Sequence, residues 1–312
     1  MSLDPTPPVA RAVGLAKRFG TVDALVDLDL DVVEGEVLGC LGPNGAGKTT
    51  FLRLLLGLLR PTAGHVEVFG LDAQRDAARI HRRVSYVPGE TSFWPALSGR
   101  QTLHLLGRLH GTVDERYRDE LIEMFDLDPG KRVRAYSKGN RQKLALVSAL
   151  MTRADLLVLD EPTSGLDPLM EQTFRTCIRT ARERGQTVLL SSHILGEVEA
   201  LCDRVAILRA GRLVDLGSLG ELRHLDALQV EVSFVGMPPD LGAVPFVEHL
   251  RVDGANVSCQ VRGPVEPLLE VLAAHHVTRL ISREPSLEEL FLAHYGAADD
   301  RAASMPAGRD AG

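Results

Sequence analysis

Gly42-Pro43-Asn44-Gly45-Ala46-Gly47-Lys48-Thr49 is the stretch that decides the fold. It fits G-x-x-x-x-G-K-[ST], and each residue type in it has a physical reason. Glycine reaches backbone dihedrals that turn successive N–H groups inward, making a concave nest for an anion. The loop opens onto a helix start, where the peptide dipole favours negative charge. Candidate phosphate contacts run from Gly42 to Thr50. Lys48 would reach the β- and γ-phosphates of a nucleoside triphosphate, and the Thr49 hydroxyl would ligate Mg²⁺. A dinucleotide site needs G-x-G-x-x-G; here the glycines are spaced three then two, the reverse order, so that reading fails.

Working outward, the loop follows Val37-Leu38-Gly39-Cys40-Leu41, a short unbroken apolar run of the kind buried on both faces of a sheet. A helical pattern runs from Thr49 to Leu58. Further buried-strand runs are Leu156 to Leu159, Thr187 to Leu190 and Val205 to Leu208. Strands alternating with helices predict a mainly parallel sheet, with its chemistry beyond the strands' carboxyl ends. Residues 13–37 read as antiparallel strands, residues 62–88 return to strand-like alternation, and residues 98–152 read as helical. Tyr117, Leu121, Met124 and Phe125 share one helix face, and so do Leu144, Val147, Leu150 and Met151.

Two acids, Asp160 and Glu161, end the second buried run. A carboxylate there is costly unless it meets a metal or hydrogen-bond donors. Asp160 is the candidate Mg²⁺ ligand, and Glu161 the candidate base that polarises water attacking the γ-phosphate.

The pattern changes near residue 223. Leu228, Val230, Val232 and Phe234 alternate with polar residues, as do Val257, Cys259 and Val261, which predicts half-buried antiparallel strands. A helix is expected around residues 267–275, and a last one from Ser286, which can form a capping box with Glu289. The expected organisation is a disordered lead over 1–10, a nucleotide-binding domain over 11–222, a small α+β domain over 223–296 and a disordered tail over 297–312.

The 312 residues are 45% hydrophobic and 25% charged, enough apolar material for a sizeable core. The net charge of -7 and scattered basic residues argue against a nucleic-acid partner, which needs clustered Lys and Arg. Cys40, Cys177, Cys202 and Cys259 lie far apart without a C-x-x-C pair, so buried reduced thiols are expected rather than zinc or disulfides. No apolar run approaches the ~18 residues of a spanning helix. The N-terminus lacks the charged start and apolar stretch of a signal peptide.

Taken together, residues 11–222 resemble the ATP-binding cassette family, in motif order as well as content. Tyr136-Ser137-Lys138-Gly139-Asn140-Arg141-Gln142 resembles the family signature L-S-G-G-Q, and Ser164-Gly165-Leu166-Asp167 resembles the D-loop. His193 resembles the switch histidine, and Phe19 sits where the family places an aromatic that stacks on adenine. The resemblance implies an α/β P-loop NTPase cassette: a mainly parallel core, an antiparallel β subdomain and a helical subdomain, here followed by a small α+β domain. It implies ATP hydrolysis with Mg²⁺, Lys48, Glu161 and His193 being catalytic. It also implies a homodimer in which Ser137, Lys138, Gly139 and Asn140 of one copy close over the γ-phosphate held by the other. An integral-membrane permease would be the further partner, with the cassette cytoplasmic and peripheral on the inner face of the cell membrane.

Lys138 and Asn140 depart from the family pattern, where glycine and glutamine are usual. Gly89 stands where the Q-loop glutamine is expected, and the neighbouring Glu90 is the candidate replacement, since a carboxylate can bind Mg²⁺. Phe93-Trp94-Pro95-Ala96-Leu97 resembles the segment that receives a permease's coupling helix, with packing inside the helical lobe an equal alternative. Residues 284–292 are similar to the tails of drug-, antibiotic- and polysaccharide-export ATPases, which favours export. A rival reading is a soluble cassette ATPase acting on ribosomes or DNA. Such proteins join two cassettes or insert a long coiled coil, whereas this chain shows one cassette and no heptad run. A GTP switch is disfavoured, because the guanine-reading N-K-x-D is missing. If Glu90 replaces the glutamine, Glu90→Gln lowers ATPase rate and alters its Mg²⁺ dependence; an unchanged Mg²⁺ titration removes that role.

Overall fold

The structure, a computed structural model, describes residues 8–111, 113–224 and 228–283. Its chain divides into two compact units, Met1–Ser218 and Leu219–Gly312.

The first unit opens with β1 (Ala10–Phe19), β2 (Val22–Val32), β3 (Val37–Leu41) and α1 (Lys48–Leu55). Next come β4 (Ala63–Val68), β5 (Leu71–Asp72), α2 (Ala77–Ile80) and β6 (Val84–Val87). Three helices follow, α3 (Gly99–His110), α4 (Glu115–Met124) and α5 (Lys138–Leu150). The unit ends with β7 (Leu156–Asp160), α6 (Pro168–Glu183), β8 (Thr187–Ser192), α7 (Leu195–Leu201), β9 (Arg204–Arg209) and β10 (Arg212–Ser218).

Six strands form the central sheet in the order β10-β9-β3-β8-β7-β6. All neighbours are parallel except β10, which returns antiparallel along β9. Every residue of β3, β7 and β8 is buried, which is why these strands read as near-continuous apolar runs rather than alternations. The second sheet, β2-β1-β4-β5, is antiparallel. Phe51, Leu52 and Leu55 of α1 pack with Leu38, Leu156 and Leu189 in a core shared with the apolar face of this second sheet. The helix that carries Lys48 and Thr49 is thereby fixed against the sheet that carries Asp160.

Several expectations need correction. Val9 and Ala10 are buried, Ala10 opens β1, and the Val9 N–H donates to the Val32 carbonyl (2.8 Å), so the expected lead does not reach residue 10. The stretch read as strand over 62–88 contains the helical turn α2. Tyr117, Leu121 and Phe125 are buried, but Met124 is 39% exposed at the helix end, past the edge of the apolar stripe. α6 was not anticipated, although Phe174, Cys177, Ile178 and Ala181 lie on one buried face. No described helix is long and apolar enough to cross a membrane.

The second unit contains α8 (Leu219–His224), β11 (Leu228–Phe234), β12 (Val247–Asp253), β13 (Asn256–Val261), α9 (Glu266–Ala273) and β14 (Val277–Arg283). Its strands form an antiparallel sheet in the order β12-β13-β11-β14. Val230, Val232, Val257 and Cys259 supply one face, packed against Leu268 and Leu272 of α9. The expected boundary after residue 222 falls inside α8. The capping box at Ser286 and Glu289, the export-like segment 284–292 and the tail 297–312 lie outside the described residues.

All four cysteines are free and buried. Burial pushes the Cys40 and Cys177 thiols up to about 12 and raises those of Cys202 and Cys259 as well. The thiolate is the reactive form, so none should react in the native chain. Mass spectrometry after iodoacetamide treatment near pH ~8 should find no label on the folded chain and four labels after unfolding in urea; native labelling at Cys40 would contradict the packing of β3.

Candidate active site

The glycine-rich loop is shaped by what surrounds it. Gly45 and Gly47 hold φ of 83° and 106°, in the left-handed region that favours glycine. A Cβ on Gly47 would also lie 2.7 Å from the Ala24 carbonyl, and one on Gly42 would strike the Leu208 carbonyl. The Gly211 N–H donates to the Ala46 carbonyl (3.0 Å), and the Val26 N–H donates to the Gly211 carbonyl (2.8 Å). The loop is thus bonded to the β9–β10 turn, which is itself bonded to β2, and it packs on β2 at Ala24 and Leu25.

Gly47 is the N-cap of α1 and supplies no side-chain acceptor. The first amides of a helix have no intrahelical partner, so this start suits an anion. Lys48 is 6% exposed, and its ammonium donates to the Gly42 carbonyl (2.5 Å) and the Pro43 carbonyl (3.2 Å). It also lies 3.2 Å from Glu161 Oε1.

Asp160 and Glu161 emerge together at the end of β7 and serve different neighbours. Thr49 Oγ1 donates to Asp160 Oδ1 (3.1 Å), and so does Ser191 Oγ (2.6 Å). Glu161 has φ of 49°, a left-handed conformation uncommon outside glycine. Its N–H is held at Ser191 by both the carbonyl (3.2 Å) and Oγ (3.1 Å). Its side chain then lies between Lys48 and His193, whose Nδ1 is 2.6 Å from Glu161 Oε2. A carboxylate accepts, so the imidazole carries its proton on Nδ1. One acid is turned toward the Thr49 hydroxyl and the other toward a lysine and a histidine, from a single strand end.

The segments that resemble the signature and the D-loop also meet. Ser137 N-caps α5, its Oγ accepting the Asn140 N–H (3.2 Å). Lys138 Nζ donates to Ser164 Oγ (3.2 Å), and a Cβ on Gly139 would lie 2.7 Å from the Gly165 carbonyl. The Leu166 N–H donates to the Thr163 carbonyl (2.9 Å), and Asp167 caps α6 by accepting the Met170 N–H (3.0 Å). Pro43 is half-buried, Ala46 buried, Thr50 half-buried, and Asn44 and Gly45 exposed.

Two predicted site residues stand apart from this cluster. Phe19 is 47% exposed at the β1–β2 turn, with the Lys17 ammonium 4.9 Å above its ring. Glu90 is exposed and has no hydrogen bond to Thr49 or Asp160 among the described residues. Gly89 is the one at the carboxylate: a Cβ there would be 3.3 Å from Asp160 Oδ2. Trp94 is exposed.

Ser191 is a site residue that pattern reading missed. It is fully buried and bridges the two acids, donating to one and accepting from the backbone of the other. The available signal was two hydroxyls, Ser191-Ser192, closing a buried strand after the apolar run Val188-Leu189-Leu190, where each must find a partner.

The ABC transporter family model matches residues 25–164. The daunorubicin resistance ATP-binding protein DrrA3 of Streptomyces coeruleorubidus is 40% identical over 310 residues, covering 92% of this chain and 95% of that relative. The daunorubicin/doxorubicin resistance ATP-binding protein DrrA of Streptomyces peucetius is 34% identical over 319 residues, covering 96% of both. A solved ATP-binding subunit of an ABC transporter superposes with a TM-score of 0.65 at 28% identity, covering 70% of this chain and 92% of that one.

Removing the Ser191 hydroxyl deletes a buried donor and acceptor together, a change worth ~1–3 kcal/mol in such sites. Ser191→Ala should lower kcat for ATP about tenfold while KM shifts less than about threefold. A steady-state phosphate-release assay reads both; a kcat equal to the parent's excludes the bridge as a determinant of Glu161 geometry.

Proposed function

This chain belongs to the ABC transporter family and hydrolyses ATP, and we propose that it works as one of two paired cassettes powering export of drugs or other small amphipathic molecules through a separate membrane permease. The observation that carries the reading is the single cluster of Lys48, Glu161 and His193 beside Thr49, Asp160 and Ser191.

The γ-phosphate of ATP offers Lys48 more negative charge than the Glu161 carboxylate and the two carbonyls it now meets, and bonds between two ionised groups are the stronger ones. Lys48 then turns from Glu161 to phosphate. Glu161 stays on the His193 imidazole and accepts a proton from the attacking water, and His193 holds that carboxylate in line. The amides at the start of α1 and the glycine loop carry the remaining phosphate charge. The Thr49 hydroxyl and Asp160 carboxylate are hard oxygen donors in contact with each other, a set that fits Mg²⁺ completed by phosphate oxygens. Bound there, Mg²⁺ would neutralise charge on the β- and γ-phosphates. Glu90 would join it only by a turn of its loop toward Asp160, and Phe19 would supply the adenine platform.

Pairing is supported by the exposed Ser137 hydroxyl, which accepts from Asn140 yet keeps its own proton to donate to a γ-phosphate on a second copy. Lys138, Gly139 and Asn140 would approach with it. Lys138 holds Ser164 and Gly139 packs on Gly165, so signature and D-loop would move into the partner as one surface. Export is supported by the resistance functions in the relatives' names, and a permease partner places the cassette at the cytoplasmic face of the membrane.

Glu161→Gln should keep ATP affinity within about threefold, reduce turnover by at least ~10²-fold and hold a nucleotide-bound dimer on size exclusion. Lys48→Ala should instead weaken nucleotide uptake. Parent-like turnover by Glu161→Gln would remove Glu161 as the base.

A further inference from the structure

Glu197 is a buried carboxylate that the mechanism above leaves without a task. It lies on α7 and is 3% exposed. Among the described residues its oxygens meet hydroxyls, not a cation. Thr163 Oγ1 donates to Glu197 Oε1, and Ser192 Oγ donates to Glu197 Oε2 (2.7 Å). Burying a carboxylate without a countercharge is costly, and packing alone would be served by an apolar side chain.

Its two partners sit at informative places. Ser192 directly precedes His193, and its Oγ also accepts the Ile194 N–H (2.9 Å), fixing the turn after the histidine. Thr163 lies two residues beyond Glu161 and directly before Ser164, and its carbonyl accepts the Leu166 N–H. Next to it, the Pro162 carbonyl accepts from Gln142 Nε2 of α5 (2.8 Å), and Gln142 is itself buried. A continuous buried path therefore runs from the signature helix, through the segment between Glu161 and the D-loop, across Glu197, to the loop of His193.

We propose that Glu197 is a positioning residue that locks the His193 loop to the D-loop, so that a contact made by the D-loop with a second cassette is felt at the Glu161–His193 pair. This rests on the paired-cassette reading above. Glu197 acts through Ser192 and Thr163 rather than on the reacting atoms. Buried networks of this kind are strong when every member is satisfied and lose more than one bond when the shared acceptor goes.

The test is hydrolysis by the full chain under single- and multiple-turnover conditions, with ATP uptake followed by calorimetry. Glu197→Ala should lower kcat about tenfold with KM within about twofold, and Glu197→Gln should recover part of the loss, because its amide still accepts one hydroxyl. In a His193→Ala background, Glu197→Ala should cost less than about twofold more, since both act on the same pair. An unchanged kcat, a raised KM with kcat intact, or full additivity with His193→Ala would each overturn the proposal. Should Glu197→Ala fail to melt cooperatively, Ser192→Ala and Thr163→Val each remove one hydroxyl and carry the same expectation. Absence of ATP uptake by the parent chain would defeat the underlying functional reading; normal uptake and turnover with an indifferent Glu197→Ala defeats only the coupling.

Discussion

The ammonium of Lys48 is kept almost wholly out of water at the mouth of a sheet whose central strands are themselves fully buried. A cation so placed demands compensation from whatever lies within reach. Two carbonyls of its own loop and the Glu161 carboxylate provide it. Much of the local architecture follows from that demand. The loop must curl so that its carbonyls face the side chain that ends it, and β7 must finish beside β3's outgoing loop with an acid at the right step. Parallel strands meet both requirements, because their carboxyl ends all point the same way.

The acids could not share one environment without repelling each other. They are separated by a backbone reversal: Asp160 completes the strand in extended conformation, while Glu161 swings into left-handed space. Ser191 on the neighbouring strand makes that separation rigid, one hydroxyl serving both residues. The register of β7 on β8, which sets Asp160 opposite Ser191, is therefore part of the chemistry as much as part of the fold.

What was legible in the sequence had either a long apolar run or a dense motif behind it. Val37–Leu41, Leu156–Leu159 and Thr187–Leu190 are strands because nothing polar interrupts them, and Lys48, Thr49, Asp160, Glu161 and His193 stand next to such runs. β10, β12 and β14 were not read, because they mix charged and apolar residues and owe their conformation to the strand beside them. α2 is a single turn, too short for a 3.6-residue period to declare itself. Ser191, Thr163 and Glu197 escaped for a different reason. Their importance is a matter of who faces whom across 30 or so positions of chain, and small polar residues carry no periodic signature of their own. The Q-loop position shows the converse: a motif can name the place, and the place can hold Gly89 against Asp160 while the charge sits one residue further on.

The left-handed turn at Glu161 also bears on how this protein is free to change. Glycine would occupy that backbone with less strain than any residue bearing a β-carbon. Relief of backbone strain alone would therefore pull the position toward glycine, while the countercharge that buried Lys48 requires and the role proposed for Glu161 in turnover pull it back to the acid. A redesign ranked on backbone strain alone would be drawn to a residue where, on the role proposed for it, relief means inactivity.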